Sequence, residues 1–302
     1  MTIKTLNQRY AIADVLTFHT GMDNQPIAKI CNDNATAEIN LYGGHVLSYK
    51  PHSETEDVIF LSDLATCANG KAIRGGIPIC WPWFGADPDG LGRPNHGFVR
   101  NRLWQTIATE AIDSDTTKLT LGLSDTDDTR AIWPHRFDLA ITMTVGPTLT
   151  VELTTHNTGN TPFTLTQALH TYFTVGDINR VRVRGLEGKY YLDKVDSDAR
   201  KFQTEAIAIA GEVDRIYFDV PAVLTIDDPA LDRSIRTTSS GNTTAVVWNP
   251  WIEKAAAMGD LGDADYQQMI CVETTNAASD VITVEPGETF CLSAIYQVQS
   301  NS

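Results

Sequence analysis

The hydrophobic positions of this chain fall mostly into short runs in which apolar and polar residues alternate. The clearest runs cover residues 35–42, 137–145 and 148–157, and Gly146-Pro147 separates the last two as a turn. Alternation with a period of two turns one face of a strand towards a core and the other towards water. Threonine and valine dominate these runs, which suits the pleated surface of a sheet. The pattern predicts an antiparallel β protein.

Helical patterns are few and short. The first 22 residues suit a short helix or an irregular lead-in, and residues 253–258 and 264–269 each suit a turn or two of helix. Because no long amphipathic helices alternate with the strands, a βαβ architecture is not expected. There are more strand candidates than an immunoglobulin-sized sandwich holds. We therefore predict an all-β fold of two large, mainly antiparallel sheets with few short helices, in a single domain over residues 1–302.

The charge balance narrows the class of partner. The 302 residues include 23 lysines and arginines against 38 aspartates and glutamates, which gives a formal net charge of −15. Such a chain repels phosphate backbones and anionic lipids, so neither nucleic acid nor a membrane is expected as a partner. There is also no run of 18 or more apolar residues. A small anionic ligand stays compatible, because it responds to local arginines more than to the total charge.

The cysteines indicate the compartment. Their number is odd, and no pair has a CxxC or zinc-ligand spacing. Reduced thiols in a cytoplasmic protein are favoured over a disulfide with a thiol left over. The first ten residues lack the apolar core of a signal peptide, which agrees with that compartment. The cysteines are Cys31, Cys67, Cys80, Cys271 and Cys291.

Residues 71–104 depart from the strand pattern. The segment is too rich in glycine and proline for a regular strand and too aromatic for a solvated loop, and long loops of this kind often carry function. It also brings several guanidinium groups into a very acidic chain: Arg74, Arg93, Arg100 and Arg102. Any one of them, taken alone, is expected to pair with a surface acid. Arg74 and Arg100 are better candidates for an anionic ligand, because nearby glycines let the backbone approach it closely.

Three aromatic residues of this segment, Trp81, Trp83 and Phe84, suit two roles. Sugar rings stack on aromatic faces, so these side chains could line a sugar site. Large aromatic side chains also fill cores. We expect two of the three to be core residues.

Two titratable residues lie next to apolar runs. His170 has apolar and aromatic neighbours in residues 168–173, and Glu273 follows the run 269–272. A histidine in this setting is either a hydrogen-bonded core residue or a proton donor whose pKa is set by its apolar wall. A carboxylate in this setting is either held structurally by hydrogen bonds or poised as a base. The local sequence leaves both alternatives open.

Six motifs, in order along nearly the whole chain, resemble one family. They are residues 73–85, 96–104, 168–173 (Ala-Leu-His-Thr-Tyr-Phe), 185–195, 247–251 and 271–277 (Cys-Val-Glu-Thr-Thr-Asn-Ala). Together the motifs resemble those of the hexose-6-phosphate mutarotases, also called glucose-6-phosphate 1-epimerases, of the aldose 1-epimerase superfamily. The resemblance implies a galactose-mutarotase-like β-supersandwich, which agrees with the strand pattern. It also implies that the chain interconverts the α and β anomers of a hexose 6-phosphate without a metal or a cofactor.

The resemblance also implies roles for individual residues. The histidine of the Leu-His-Thr-Tyr-Phe motif is catalytic in the family and is His170 here, and the glutamate of Cys-Val-Glu is its partner and is Glu273 here. The implied substrate-binding residues are Arg74 and Arg100 for phosphate and sugar, Asp193 for sugar hydroxyls, and His96 and Asn95 in the sugar site. Many members have Gln where this chain has Asn95, and the shorter side chain reduces the reach of that amide.

These residue types suit anomerisation. A proton must leave the C1 hydroxyl while another reaches the ring oxygen, and ring closure reverses both transfers. We expect Glu273 as the base and His170 as the acid, on opposite sides of the C1–O5 unit. Their opposite charges would raise the pKa of His170 towards neutrality and keep Glu273 ionised. We expect a monomer whose partner is a small sugar phosphate.

Two other functions stay open at this point. A non-catalytic carbohydrate-binding protein could share the fold, although it would not need both His170 and Glu273. A mutarotase of unphosphorylated aldoses such as galactose would not need the two arginines. An exchange assay with glucose 6-phosphate, galactose and glucose would separate the three.

Overall fold

The computed structural model describes residues 1–300, apart from the side chain of residue 69. Over this range the regular secondary structure is mostly strand. The α-helices are α1 (Ile3–Tyr10), α2 (Asp127–Ile132) and α3 (Trp251–Ala256). The first of these shows that the lead-in is a helix, and residues 264–269 contain only a short 3₁₀ turn.

The strands, in chain order, are β1 (Leu16–Thr20), β2 (Pro26–Cys31), β3 (Ala35–Asn40), β4 (His45–Pro51), β5 (Ile79–Cys80), β6 (Gln105–Ala111), β7 (Thr117–Ser124), β8 (Phe137–Val145), β9 (Leu149–Asn157), β10 (Phe163–Leu165), β11 (Gln167–Leu169) and β12 (Tyr172–Thr174). They continue with β13 (Arg182–Arg184), β14 (Tyr190–Asp193), β15 (Ala199–Phe202), β16 (Ile207–Ala208), β17 (Val213–Phe218), β18 (Val223–Asp228), β19 (Arg233–Ser240), β20 (Thr244–Asn249), β21 (Met269–Asn276), β22 (Ile282–Val284) and β23 (Thr289–Ser300).

Two large sheets dominate the fold. The nine-stranded sheet has the order β16-β13-β18-β19-β23-β9-β8-β7-β6, and the eight-stranded sheet has the order β15-β14-β17-β20-β21-β11-β5, with β12 also paired to β21. A four-stranded sheet (β1 to β4) and the pair β10-β22 complete the set. Strand pairs in both large sheets are antiparallel. The prediction of an all-β fold with two large antiparallel sheets is confirmed, whereas the single domain stays a prediction.

The hairpin of β8 and β9 shows how the pattern produces the sheet. Val145 pairs with Leu149, and the turn between them closes with a 3.0 Å hydrogen bond from the Gly146 N–H to the Thr148 carbonyl. Every second side chain of both strands is buried. The apolar members of the alternation therefore face the core, as expected for a strand with one wet face.

The two large sheets are joined by a common core and by buried polar contacts. The Trp81 indole donates a 3.0 Å hydrogen bond to the Thr155 hydroxyl of β9. The hydroxyls of Thr171 and Tyr296 lie 2.6 Å apart. Trp81 and Trp83 are buried core residues, whereas Phe84 is partly exposed beside a cavity. The expectation that two of these three aromatic residues are core is confirmed.

The described residues contain no disulfide, and all five cysteines are free thiols. Three of them are buried, and Cys31 and Cys291 are exposed. None of the helices in the described part of the chain has the length and apolar character needed to cross a bilayer.

Candidate active site

A cavity of about 820 Å³ opens on one face of the eight-stranded sheet. Side chains of neighbouring strands form its floor: Leu192 on β14, Asp214 and Ile216 on β17, Val246 and Trp248 on β20, and Glu273 on β21. The strand register aligns Val246 with both Ile216 and Glu273. Because successive side chains of a strand point to opposite faces, these aligned residues all point into the cavity.

His170 lies in the break between β11 and β12. The backbone N–H groups of His170 and Tyr172 each donate a 3.0 Å hydrogen bond to carbonyls of the segment 74–78. Between them, Thr171 bonds to Tyr296 of the nine-stranded sheet. The side chains of His170 and Tyr172 therefore both face the cavity, and the backbone that carries them is anchored on both sides.

The two predicted catalytic residues are in contact. His170 Nε2 lies 3.3 Å from Glu273 Oε1, and Glu273 is only 2% exposed. The imidazole stacks on the Tyr172 ring at 5.0 Å and 13°, and it meets Trp248 edge-on at 6.2 Å. Within residues 1–300, His170 Nδ1 and Glu273 Oε2 are buried without a hydrogen-bond partner. A purely structural pair would avoid that loss of solvation, so the arrangement indicates a functional site.

The pKa shifts of this pair run opposite to the sequence-based expectation. Burial raises the pKa of Glu273 well above its usual value, and the charge of Asp214 raises it further. Burial also lowers the pKa of His170 well below its usual value, and His96 and two arginines act in the same direction. The expectation that attraction within the pair would dominate was wrong, because both groups lose solvation together. The protein itself therefore favours the neutral form of each side chain.

Arg74 is held by two other side chains. Its Nε and Nη2 atoms donate to the two carboxylate oxygens of Asp260 at 3.2 and 3.3 Å, and its Nη1 donates to the Tyr172 hydroxyl at 3.0 Å. A guanidinium has five N–H donors, so this arrangement leaves donors for a further acceptor. Arg74 lines the cavity, and its role in substrate binding stays a prediction.

Arg100 is the less compensated of the two predicted arginines. Its Nη2 donates to the backbone carbonyl of Asn95 at 2.9 Å, and its buried Nε has no hydrogen-bond partner. The ion pairs within residues 1–300 include none for Arg100. Asn95 lies at the cavity rim and touches Arg100 through its backbone oxygen. A partly buried cation of this kind attracts an anion.

The other arginines of the segment have local roles. Arg93 pairs with Asp87 and Asp89, which matches the surface pairing expected for a single arginine, and it lies over the ring of Trp83. Arg102 lies over Phe98 and does not line the cavity.

The glycines beside Arg74 have a different role from the predicted one. A Cβ on Gly75 would lie 2.6 Å from the Phe60 carbonyl oxygen, and a Cβ on Gly76 would lie 2.2 Å from His45 Nε2. Both glycines also have positive φ, at +102° and +70°. They permit close packing against the protein's own backbone and side chains rather than against a ligand.

His96 is fixed in one tautomer by a backbone contact. The Gly85 N–H donates to His96 Nδ1 at 3.2 Å, which leaves the proton of the neutral ring on Nε2. Burial, with Arg100 and Arg74, lowers the pKa of His96 to about 3. Its ring lies 5.8 Å from that of His170 at the cavity wall. His96 therefore serves as a neutral hydrogen-bond donor.

Asp193 is the predicted site residue that the structure places elsewhere. Its carboxylate accepts from Lys201 at 2.8 Å and from the Val195 N–H at 3.2 Å, and it is not among the residues that line the cavity. Leu192, one position earlier on β14, faces the cavity, so Asp193 points to the opposite side of the sheet. The acids that line the cavity are instead Asp214 on β17, Glu273 and Asp198.

Sequence reasoning missed Asp214 because β17 was not recognised as a strand. Its first residues, Val213, Asp214 and Arg215, include two charges, which weakened the strand pattern. The apolar residues Ile216 and Tyr217 that follow were the usable signal in the sequence. In the structure they pair with apolar residues of β20. Burial raises the pKa of Asp214, as expected for a carboxyl at the floor of a cavity.

A second, smaller cavity of about 360 Å³ adjoins the first. Both cavities are lined by Arg74, Arg100 and Tyr172, and the smaller one is also lined by Lys71 and Asp260. No hydrogen bond or ion pair of the Lys71 ammonium exists within the described residues. The shared wall therefore carries a local excess of positive charge in a strongly acidic protein.

One group of described residues has the composition of a metal site. Ligand atoms of His170, Cys271 and Glu273 lie within 4.8 Å of one another. Burial raises the pKa of the Cys271 thiol well above its usual value, which disfavours the thiolate that binds metals. The metal-free reaction stays a prediction.

Comparisons with known proteins identify the family and the fold of this chain. The profile of the family described as Aldose 1-epimerase matches residues 26–297. A protein of Cenchrus ciliaris named as a candidate glucose-6-phosphate 1-epimerase is 41% identical over 270 residues, which cover 84% of this chain and 79% of that protein. The crystal structure of a candidate mutarotase from Salmonella typhimurium superposes with a TM-score of 0.90 at 34% identity over 96% of each chain.

A more distant structure supports the fold alone. A galactose mutarotase-like protein from Clostridium acetobutylicum gives a TM-score of 0.72 at 14% identity, over 94% of this chain and 98% of that one. The galactose-mutarotase-like fold expected from the sequence is therefore confirmed. With the family profile covering most of its length, the chain belongs to the aldose 1-epimerase family and is an epimerase of the isomerase class.

Proposed function

We propose that this enzyme interconverts the α and β anomers of hexose 6-phosphates. The observation that carries the proposal is that the His170–Glu273 pair and the uncompensated Arg100 line one cavity. An acid–base pair suits the anomeric centre, and partly buried arginines suit a phosphate. The names of the relatives from Cenchrus ciliaris and Salmonella typhimurium support the same reaction type.

The reaction needs two proton transfers and one bond cleavage. As the C1–O5 bond breaks, its electron pair goes to O5, which takes a proton from the acid, while the base takes the proton of the C1 hydroxyl and C1=O forms. The C1–C2 bond then rotates, and the ring closes on the other face of the aldehyde by the reverse transfers. We assign the base to Glu273 and the acid to His170. Both roles need the ionised pair, which forms from the neutral pair favoured by burial when one proton passes from Glu273 to His170 across the 3.3 Å contact.

His170 and Glu273 would lie on the same side of a bound sugar. At 3.3 Å, His170 and Glu273 lie side by side rather than on opposite sides of a sugar, so the opposite-side expectation does not fit the structure. O1 and O5 are bonded to the same carbon, so adjacent groups on one wall suffice to serve both. His96 Nε2–H and Asp214 offer a donor and an acceptor for sugar hydroxyls.

The phosphate would bind where the two cavities meet. Arg74 and Arg100 line both cavities, and Lys71 adds a third positive charge to the smaller one. A dianion there would oppose the effect of these arginines on the pKa of His170. Binding would therefore favour the imidazolium form that donates to O5. Guanidinium groups also recognise phosphate oxygens with directed pairs of hydrogen bonds.

One observation favours a second candidate, a mutarotase of unphosphorylated aldoses. Asp260 already neutralises Arg74, which reduces the net positive charge available to a phosphate. The cavity floor and the acid–base pair would serve a free hexose equally well.

Exchange-rate measurements by NMR with glucose 6-phosphate, glucose and galactose test the proposal. We expect glucose 6-phosphate to show much the highest kcat/KM, because only this sugar reaches the arginines. Equal kcat/KM values for the three sugars would favour the second candidate. An absence of exchange with every sugar would contradict both.

A further inference from the structure

Tyr172 contacts both the phosphate-binding arginine and the catalytic histidine. Its hydroxyl accepts a 3.0 Å hydrogen bond from Arg74 Nη1. Its ring stacks on the His170 imidazole, with 5.0 Å between centroids and 13° between the planes. Tyr172 is only 2% exposed, so surrounding atoms fix its ring in one place. The two ends of the proposed site are thus joined through one side chain.

Asp260 fixes the orientation of the Arg74 guanidinium relative to Tyr172. It holds the Nε and Nη2 edge of Arg74, and Tyr172 holds Nη1, so the guanidinium plane is fixed from two sides. Of the five N–H donors of an arginine, three are engaged in this way and the others stay available to an anion. A shift of Arg74 towards a bound anion would therefore act on the Tyr172 hydroxyl.

The backbone has little freedom to absorb such a shift. The Tyr172 N–H donates to the Gly76 carbonyl at 3.0 Å, which ties it to the segment that carries Arg74. A Cβ at Gly76 would lie 2.4 Å from the Val46 carbonyl oxygen, which shows how tightly this segment is packed. The side chains, rather than the backbone, are then the parts that respond to a ligand.

We propose that Tyr172 is a positioning residue that couples phosphate binding at Arg74 to the orientation of the His170 imidazole. The inference rests on the proposed function. Part of the phosphate binding energy is thereby used in the chemical step, so the phosphate raises kcat as well as lowering KM. A free hexose leaves Arg74 without an anion and gains nothing from the coupling.

The test is Tyr172→Phe, which keeps the stacked ring and removes the hydroxyl. Loss of one hydrogen bond to a charged group is expected to lower kcat for glucose 6-phosphate about tenfold, with a smaller change in KM. The kcat for free glucose should fall less than that for glucose 6-phosphate, because no anion acts on Arg74. Tyr217→Phe is the matched control, since Tyr217 is a buried residue of the same sheet that does not line the cavity, and the change removes a part-buried 2.9 Å hydroxyl contact to Gln203.

A double-mutant cycle supplies the decisive readout. If Tyr172 acts through Arg74, then Tyr172→Phe should have little further effect on kcat in an Arg74→Ala background. Losses that multiply would overturn the coupling, as would equal losses for phosphorylated and free sugars. A Tyr172→Phe enzyme with wild-type kcat for glucose 6-phosphate would overturn it too. Failure of the proposed function looks different, because wild type itself would then show no preference for the phosphorylated sugar.

Discussion

Strands β9 and β21, one from each large sheet, differ in the polar groups that they bury. On β9 in the nine-stranded sheet, buried and half-buried positions alternate, and the buried ones are mostly apolar, such as Leu149, Val151 and Leu153. On β21 in the eight-stranded sheet, all eight residues are buried, including Glu273 and the three polar residues after it. Burial of a polar group costs free energy unless it is hydrogen-bonded. Strand β9 thus contributes mainly to stability, whereas β21 also carries a buried carboxyl group suited to acid–base chemistry.

The polar residues at the end of β21 differ from Glu273 in their hydrogen bonding. The Thr275 hydroxyl lies 3.0 Å from that of Thr244, and Asn276 bonds to Gln167 at 3.0 Å. Glu273 Oε2, by contrast, has no hydrogen-bond partner within residues 1–300. Thr275 and Asn276 thus have hydrogen-bond partners within the protein, whereas Glu273 Oε2 stays available to a proton or a ligand.

The largest expected effect comes from the proposed catalytic pair, His170 and Glu273. His170→Ala should lower kcat for hexose 6-phosphate anomerisation by about 10² to 10⁴, because proton transfer by a positioned group is lost. The free energy of unfolding should change little by comparison. Kinetics by NMR exchange and urea unfolding measure the two quantities. His156→Ala on β9 is the control. An equal loss of kcat in both variants would contradict a catalytic role that is specific to His170.

For β9 in the nine-stranded sheet we expect the reverse, a large loss of stability with little change in kcat. Leu153→Ala should lower the free energy of unfolding by about 2 to 5 kcal/mol, because it leaves a cavity in the core. The kcat of the folded fraction should stay near wild type. Glu152→Ala, on the neighbouring half-buried position of the same strand, should cost far less. A large drop in kcat for folded Leu153→Ala would show that this sheet also shapes the active site.

Arg100 tests the basic end of the cavity. Arg100→Ala should raise KM for glucose 6-phosphate by about 10- to 150-fold, the equivalent of about 1.5 to 3 kcal/mol for charged hydrogen bonds. For free glucose the KM should change little. Arg102→Ala is the matched control, because that neighbour lies over Phe98 and outside both cavities. Equal changes for both sugars would remove Arg100 from phosphate binding.

The smallest effect concerns a buried histidine behind the site. Burial lowers the pKa of His45 from 6.5 to about 4, so above pH 6.5 the folded and unfolded states both hold it neutral. As the pH falls from 6.5 towards 4, only the unfolded state takes up the proton, and stability is lost at about 1.4 kcal/mol per pH unit. His45→Gln should flatten the pH dependence of unfolding by that slope. Unfolding curves at pH 5, 6 and 7 measure it, and parallel profiles of variant and wild type would contradict the shift.

The sequence predicts those parts of the molecule where local pattern and burial agree. The bounds of β8 match the alternating run 137–145, because the large apolar residues there meet the core and the residues between them are partly or fully exposed. The pattern fails on β17, where Asp214 faces the cavity, and on β14, where Asp193 points away from it. In both strands the chemistry depends on which face a residue takes, and no local signal fixed that face.

The motif resemblance identified the site residues His170 and Glu273 but did not predict the direction of their pKa shifts. It identified His170 and Glu273, which the structure brings to 3.3 Å. It did not reveal the shared loss of solvation that moves their pKa values in the opposite direction from the expectation. The partners of Arg74, Asp260 and Tyr172, were also missed, because they lie 186 and 98 residues away in the chain.

The central claim is that the His170–Glu273 pair anomerises hexose 6-phosphates, and selective-inversion NMR on glucose 6-phosphate tests it most directly. The exchange rate between the α and β signals is measured with wild type and with Glu273→Gln at equal concentrations of folded protein. We predict strong acceleration by wild type and a return to the uncatalysed rate with Glu273→Gln. Exchange by Glu273→Gln at the wild-type rate would contradict the account.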